Sequence, residues 1–240
     1  MTIYPAIDLY ESKAVRLMRG DYAQMTVYSD DPVSVAMSFE DAGATAVHLV
    51  DLEGARCGIP VNFETVKRIT QATGLAVQVG GGIRTMSDIE KYLGIGASRV
   101  LLGTAAVSSD GFLRESLSRY GKAIAVSADI KDGFIAVKGW TELSDKDALS
   151  FCHAVEQSGV QTIICTDISK DGLLQGTNMT LYRTLRERLK IGLVASGGIT
   201  TLQEIKALSS IGMDGAVLGK ALYTGIIDLK EAIAMAVIDR

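Results

Sequence analysis

The chain carries the same landmarks twice, 116 residues apart. Gly81-Gly82-Ile83 returns as Gly197-Gly198-Ile199, Ile95-Gly96 as Ile211-Gly212, Leu102-Gly103 as Leu218-Gly219, and Asp51 as Asp167. Asn62, at a predicted helix N-cap, returns as Asn178. Thr85 with Asp88 returns as Thr201 with Glu204. Both pairs have capping-box spacing, in which hydroxyl and acid each satisfy an orphan amide of the first helical turn. A period this long exceeds the roughly 20–50 residues of a solenoid unit. It implies two half-domains, each with its own strands, helices and one Gly-rich loop. Two like anion sites in one chain point to a ligand with a phosphate at each end.

Short β-branched runs alternate with amphipathic stretches along the chain. Predicted strands are 3–7, 46–50, 76–79, 99–102, 123–128, 162–165, 192–195 and 215–218. Their near-continuous apolar character fits strands buried on both faces, as in parallel sheets. Helix starts are signalled by Pro32 after Asp31, by Asn62, and by Ser144 with Asp147. Eight strands alternating with helices, without a linker, predict one α/β domain over 1–240, a closed (β/α)8 TIM barrel. Its two repeated half-barrels would cover approximately 1–121 and 122–240. A doubly wound sheet is the alternative, but it has no reason to repeat at half-length. Aromatics make up only 6% of residues against 48% hydrophobic, so Val, Ile, Leu and Ala must fill the core.

The net charge is −4, and the densest basic stretch, Arg183 to Lys190, is interrupted by Glu187. It reads as a solvated helix face, and no nucleic-acid footprint is expected. Apolar runs fall short of the roughly 18 residues of a membrane span. The N-terminus shows neither a basic leader region nor a cleavage signal. Cys57, Cys152 and Cys165 are odd in number and lack C-x-x-C spacing, which predicts reduced thiols in a cytoplasmic protein, the last two in the core. His48 and His153 lack ligand spacing, so no metal is expected. His48 reads as a hydrogen-bonded core histidine and His153 as structural.

In a barrel of this kind chemistry sits where the strands end. Gly80-Gly81-Gly82-Ile83-Arg84 follows a predicted strand and precedes a capped helix, where glycines let backbone amides approach an anion and the helix dipole favours its charge. Gly103-Thr104 after the next strand would complete that cradle. Ser196-Gly197-Gly198 and Gly219-Lys220 form the matching pair in the second half. Asp8 and Asp129 close strands one and five, on opposite sides of the barrel, so their carboxylates can face one another across the mouth. Partial desolvation raises such acids toward a useful pKa, and two of them can divide acid and base work. Asp51 and Asp167 form a second pair, expected to position substrate or neighbouring loops.

Pro5-Ala6-Ile7-Asp8-Leu9, Val15-Arg16-Leu17 with Gly20-Asp21-Tyr22, His48 through Ala55, Gly80 through Arg84, and Gly219 through Tyr223 together resemble the ProFAR isomerase family of histidine biosynthesis. The resemblance covers essentially the whole chain. It implies a half-barrel duplication, a bisphosphate aminoaldose substrate and a cofactor-free Amadori rearrangement to the aminoketose. It also implies Asp8 as general base and Asp129 as general acid, Thr166 assisting the acid, Asp171 contacting substrate, and a monomeric enzyme. Arg19, in the long first βα loop, is a candidate for a substrate phosphate or the imidazole carboxamide. Trp140, the only tryptophan, is a candidate to stack on the imidazole during lid closure. One departure is Tyr10-Glu11-Ser12-Lys13, where the family pattern has Gly before the lysine; it puts the local turn geometry in question. Three rivals remain. A dual-substrate isomerase would also take phosphoribosyl anthranilate. The sister cyclase of the pathway has Cys-Leu-Asp where this chain has Ala6-Ile7-Asp8. A barrel that only senses a sugar bisphosphate would need neither aspartate.

Overall fold

The computed structural model describes residues 1–237. The strands are β1 (Thr2–Tyr10), β2 (Lys13–Met18), β3 (Asp21–Ser29), β4 (Ala46–Asp51), β5 (Ala76–Gly80), β6 (Arg99–Leu102), β7 (Ile124–Lys131), β8 (Phe134–Val137), β9 (Glu142–Asp147), β10 (Thr162–Asp167), β11 (Gly192–Ser196) and β12 (Gly215–Leu218). Eight of them, β1, β4, β5, β6, β7, β10, β11 and β12, pair in parallel in that cyclic order, and β12 returns to β1. The barrel is closed, so no parallel edge is left unpaired. Helices including Pro32–Asp41, Phe63–Ala72, Met86–Gly94, Met179–Arg188, Leu202–Ser210 and Leu229–Ala236 follow the strands, as a (β/α)8 barrel requires.

Residue alternation along the strands gives two cores. Outward side chains such as Ile7, Leu49, Val79, Val126, Ile163 and Leu193 pack under the helices. Inward ones, Ala6, Leu101, Ala125, Ile164, Val194 and Val217 with Tyr4, form a separate cluster inside the barrel. This apolar plug is the floor on which the site stands.

The capping boxes at Thr85/Asp88 and Thr201/Glu204 both form, and Asp31 caps the helix that Pro32 opens. Asn178 caps through Leu181 N, but Asn62 makes no cap bond. Its amide is drawn away by carboxylates, donating to Asp51 and Glu53, while its carbonyl accepts from Ser12 N at 2.9 Å. Ser144 is not a cap either. It lies in β9 and donates to Ile135 O, and Asp147 alone caps the helix Ala148–Gln157. His153 stands exposed on that helix, 3.5 Å from Glu156. Cys152 and Cys165 are buried and Cys57 is exposed, all as free thiols. Among the described residues no helix is long and apolar enough to cross a membrane.

The main difference from the sequence reading lies at the top of strands one and five. Both run on past the expected ends, because antiparallel hairpins extend them: β1 pairs β2 and β7 pairs β8. Asp8 and Asp129 are therefore strand residues, not loop residues. The β1–β2 turn answers the question raised by Ser12. Tyr10 pairs Lys13 across a two-residue turn, with Glu11 at φ +48° and Ser12 at φ +59°. Such a turn needs both central residues left-handed, which is why glycine suits it. Here the strain is held by bonds from outside, Glu11 N to Glu53 and Ser12 N to Asn62. Ser12→Gly is expected to raise stability by about 1 kcal/mol, seen as a higher urea midpoint with unchanged slope.

Candidate active site

The two glycine loops sit where the β4–β5 and β10–β11 pairs end. Gly81 and Gly197 take φ +110° and +98°, and Gly82 and Gly198 take +77° and +76°. A Cβ on Gly81 would lie 2.2 Å from Asp51 O, and one on Gly197 2.5 Å from Asp167 O. The backbone of each loop thus lies directly on the strand before it. Gly81→Ala is expected to cost about 3 kcal/mol, from left-handed strain and overlap together, measurable by urea unfolding.

Asp51 and Asp167 are what the loops close against. Asp51 is 0% exposed and accepts from Gly54 N, Val61 N, Asn62 N and the Asn62 amide. Asp167 accepts from Ser169 N, the Ser169 hydroxyl and the Asn178 amide. Their carboxylates organise the neighbouring loops, one of the two roles expected of them. Tyr182 locks the second half further by donating to Ser196 O.

One cavity opens at the C-terminal end of the barrel. Asp8, Gly80, Gly81, Gly82, Arg84, Gly103, Thr104, Asp129, Trp140, Thr166, Asp171 and Ser196 all line it. A smaller adjoining recess is lined by Gly197, Gly198, Gly219 and Lys220, with Ser196 and Asp171 shared. The two glycine loops therefore line neighbouring recesses that share Arg16, Asp171, Ser196 and Val217. Lys220 Nζ is held by Gly172 O at 3.0 Å, aimed beside the second loop. In the first cradle the Thr104 hydroxyl accepts from Lys138 N at 2.9 Å, so it also fastens the β8–β9 loop.

Arg19 does not join them. It is exposed in the β2–β3 turn at φ +50°. Arg16, three residues earlier on β2, points inward instead. Its guanidinium lies 3.0 Å from Asp8 and 3.8 Å from Asp171, and its side chain is 8% exposed. Its Nε is buried without a partner. In sequence β2 reads as part of the long first βα loop, which gives Arg16 no fixed direction. The apolar-charged-apolar run Ala14-Val15-Arg16-Leu17 was the available signal, an arginine flanked by core residues.

Burial and charge set the protonation of the three acids. Burial raises Asp8 to about 6, against the pull of Arg16 and with some help from Asp171. Burial also raises Asp129, opposed by hydrogen bonds from Trp140, Ser127 and Thr166. Asp171 is raised by burial and opposed by Arg16 and Lys220. Arg16 stays firmly charged: burial opposes the charge, but Asp8 and Asp171 outweigh it. Three buried carboxyls, all raised by burial and one of them ionising near pH 6, supply the groups that acid–base chemistry needs.

Trp140, at φ +69°, lies in the β8–β9 loop and rests on the β2–β3 turn. A Cβ on Gly20 would come within 2.6 Å of its ring. The hairpins of the two halves therefore meet over the mouth, and Tyr22 OH ties the first of them to Leu52 O at 2.8 Å.

A family model described as histidine biosynthesis protein matches residues 2–228. The chain belongs to that family. It is 46% identical over 98% of its length to a Brachyspira hyodysenteriae protein, covering 99% of that relative. It is also 46% identical to a relative from Ruminiclostridium cellulolyticum, with 97% and 99% of the two chains covered, and 44% identical to one from Chloroflexus aurantiacus, with 98% of each covered. All three are named 1-(5-phosphoribosyl)-5-((5-phosphoribosylamino)methylideneamino)imidazole-4-carboxamide isomerase.

Proposed function

We propose that this protein is the isomerase its relatives are named for, an enzyme that rearranges the aminoaldose ProFAR to its aminoketose. The observation that carries the proposal is the placement of Asp8 and Asp129 in one cavity with the first glycine loop, beside a recess lined by the second. A bisphosphate bound with one phosphate on Gly81-Gly82 and Gly103 and the other on Gly197-Gly198 and Gly219 must lay its ribosyl group across the floor between Asp8 and Asp129. Backbone amides and the flanking Arg84 and Lys220 supply the donors, which suits a chain whose net charge is negative.

The reaction then follows from proton positions. Asp129, steadied by Ser127 and Thr166, protonates the ribose ring oxygen; the C1–O bond breaks and the C1–N bond becomes a Schiff base. Asp8 removes the proton from C2, its electrons flow toward the nitrogen, and the enolamine tautomerises to the C2 ketone. Asp171 offers a second reading of the acid, since it is raised in the same way and lies against the Arg16 that holds Asp8. Asp129→Asn and Asp171→Asn separate the two: the true acid loses kcat by about 10² or more, the other less. Neither step calls for a cofactor. The free thiols fit a cytoplasmic enzyme, and a site completed within one chain fits a monomer.

The base works ionised, and Asp8 ionises at about 6. Below that pH kcat/KM is expected to fall tenfold per unit. The assay that decides breadth offers ProFAR and phosphoribosyl anthranilate in parallel. Turnover of ProFAR alone gives the single-substrate isomerase, turnover of both the dual enzyme, and turnover of neither overturns the proposal.

A further inference from the structure

A chain of three polar side chains runs through the barrel interior beneath Asp8. Gln78 Nε2 lies 2.9 Å from His48 Nδ1, and Gln78 Oε1 accepts from Arg99 Nη1 at 3.2 Å. A guanidinium has donors only, so Arg99 fixes which way the amide points: oxygen toward Arg99, NH2 toward His48. An amide NH2 can only donate. Nδ1 must then carry the lone pair, and a neutral imidazole must keep its proton on Nε2. The neutral form is enforced by the surroundings: His48 is 8% exposed, and burial, with the charge of Arg16 nearby, lowers its pKa to about 3.

The ring lines the same cavity as Asp8 and Asp129. On β1 the residue in register with His48 is Ala6, which is too small to cover it, and Asp8 follows two positions on, facing the same way. Nδ1 is taken by Gln78, so the edge of the ring left for a ligand is Nε2–H. A protonated imidazole here would hand a proton to the base. A neutral one donates a hydrogen bond and does not compete for the C2 proton.

We propose that His48 is a fixed neutral donor, presenting Nε2–H to the C2 oxygen of the substrate sugar, with Gln78 and Arg99 as positioning residues that set its tautomer. This rests on the isomerase reading. The C2 oxygen changes from hydroxyl to carbonyl during the rearrangement, and a donor placed on it favours the enolamine and ketone. Binding of the two phosphates does not depend on it, so the effect falls on kcat more than on KM.

The full chain with 15N-labelled histidine tests the tautomer directly. The spectrum is expected to show His48 protonated at Nε2 and bare at Nδ1 throughout the neutral pH range. In Gln78→Glu the carboxylate still pairs with Arg99 but accepts from Nδ1–H, turning Nε2 into an acceptor. That variant is expected to lose about a hundredfold in kcat with KM nearly unchanged. Should it fail to fold, a second comparison stands: His48→Gln, whose amide nitrogen sits where Nε2 was, recovers most of the activity lost in His48→Ala, and His48→Asn does not. A proton found on Nδ1 in the wild type would overturn the proposal, as would a switched tautomer with undiminished kcat. Absence of ProFAR turnover in the wild type would strike the isomerase reading instead, leaving the tautomer result to be read separately.

Discussion

Asp8→Asn is expected to lower kcat at least about 10³-fold while substrate binding stays within a few-fold of wild type. The amide keeps the size of the carboxylate and one oxygen for Arg16, 3.0 Å away. The buried guanidinium retains Asp171 as its counter-charge. The two phosphate cradles lie on other strands and are untouched. What the amide cannot do is accept the C2 proton. Steady-state kinetics beside calorimetric binding separates the two quantities. Turnover within tenfold of wild type would remove Asp8 from the role of base.

Arg16→Leu is expected to damage both stability and catalysis. It strands two buried carboxylates whose shared partner is removed, which costs about 3 kcal/mol or more. It also removes the influence that holds Asp8 down against burial. The Asp8 pKa then rises above 6, and since the base works ionised, the acidic limb of kcat/KM moves to higher pH and activity at neutrality falls. Arg16→Lys keeps the charge without the fork that reaches both acids, so its limb should move less. Urea unfolding and a pH–rate profile on the three proteins check this. An unmoved limb in Arg16→Leu would show that Asp8 does not depend on Arg16.

The barrel was legible because its repeat is architectural. Gly81-Gly82 and Gly197-Gly198 recur at one offset because each pair must press on the preceding strand, against Asp51 and Asp167. Asp51 and Asp167 recur with them because each carboxylate organises the loop that follows its strand. The proposed acid and base stand off the repeat, with Asp129 falling 121 positions after Asp8 rather than 116. The difference lies in the hairpins beyond each, longer in the first half, and these were the part that could not be read. Polar, glycine-punctuated stretches such as 10–22 and 131–147 carry no clear period, yet they pair because β1 and β7 offer free edges above the barrel. Arg16 lies in one of these hairpins, and Arg19, the arginine expected at the site, faces solvent at the turn. Trp140 was legible as a special residue, and what it touches at Gly20 depends on a contact between halves that no local pattern records.

The most direct measurement is a single-turnover reaction of ProFAR with excess protein, the product read by carbon-13 NMR, for wild type and Asp8→Asn side by side. The structure predicts that both proteins bind the bisphosphate and that only the wild type yields the C2 ketone of the aminoketose. Tight binding by both with no ketone from either would contradict the isomerase, leaving a barrel that holds a sugar bisphosphate without transforming it.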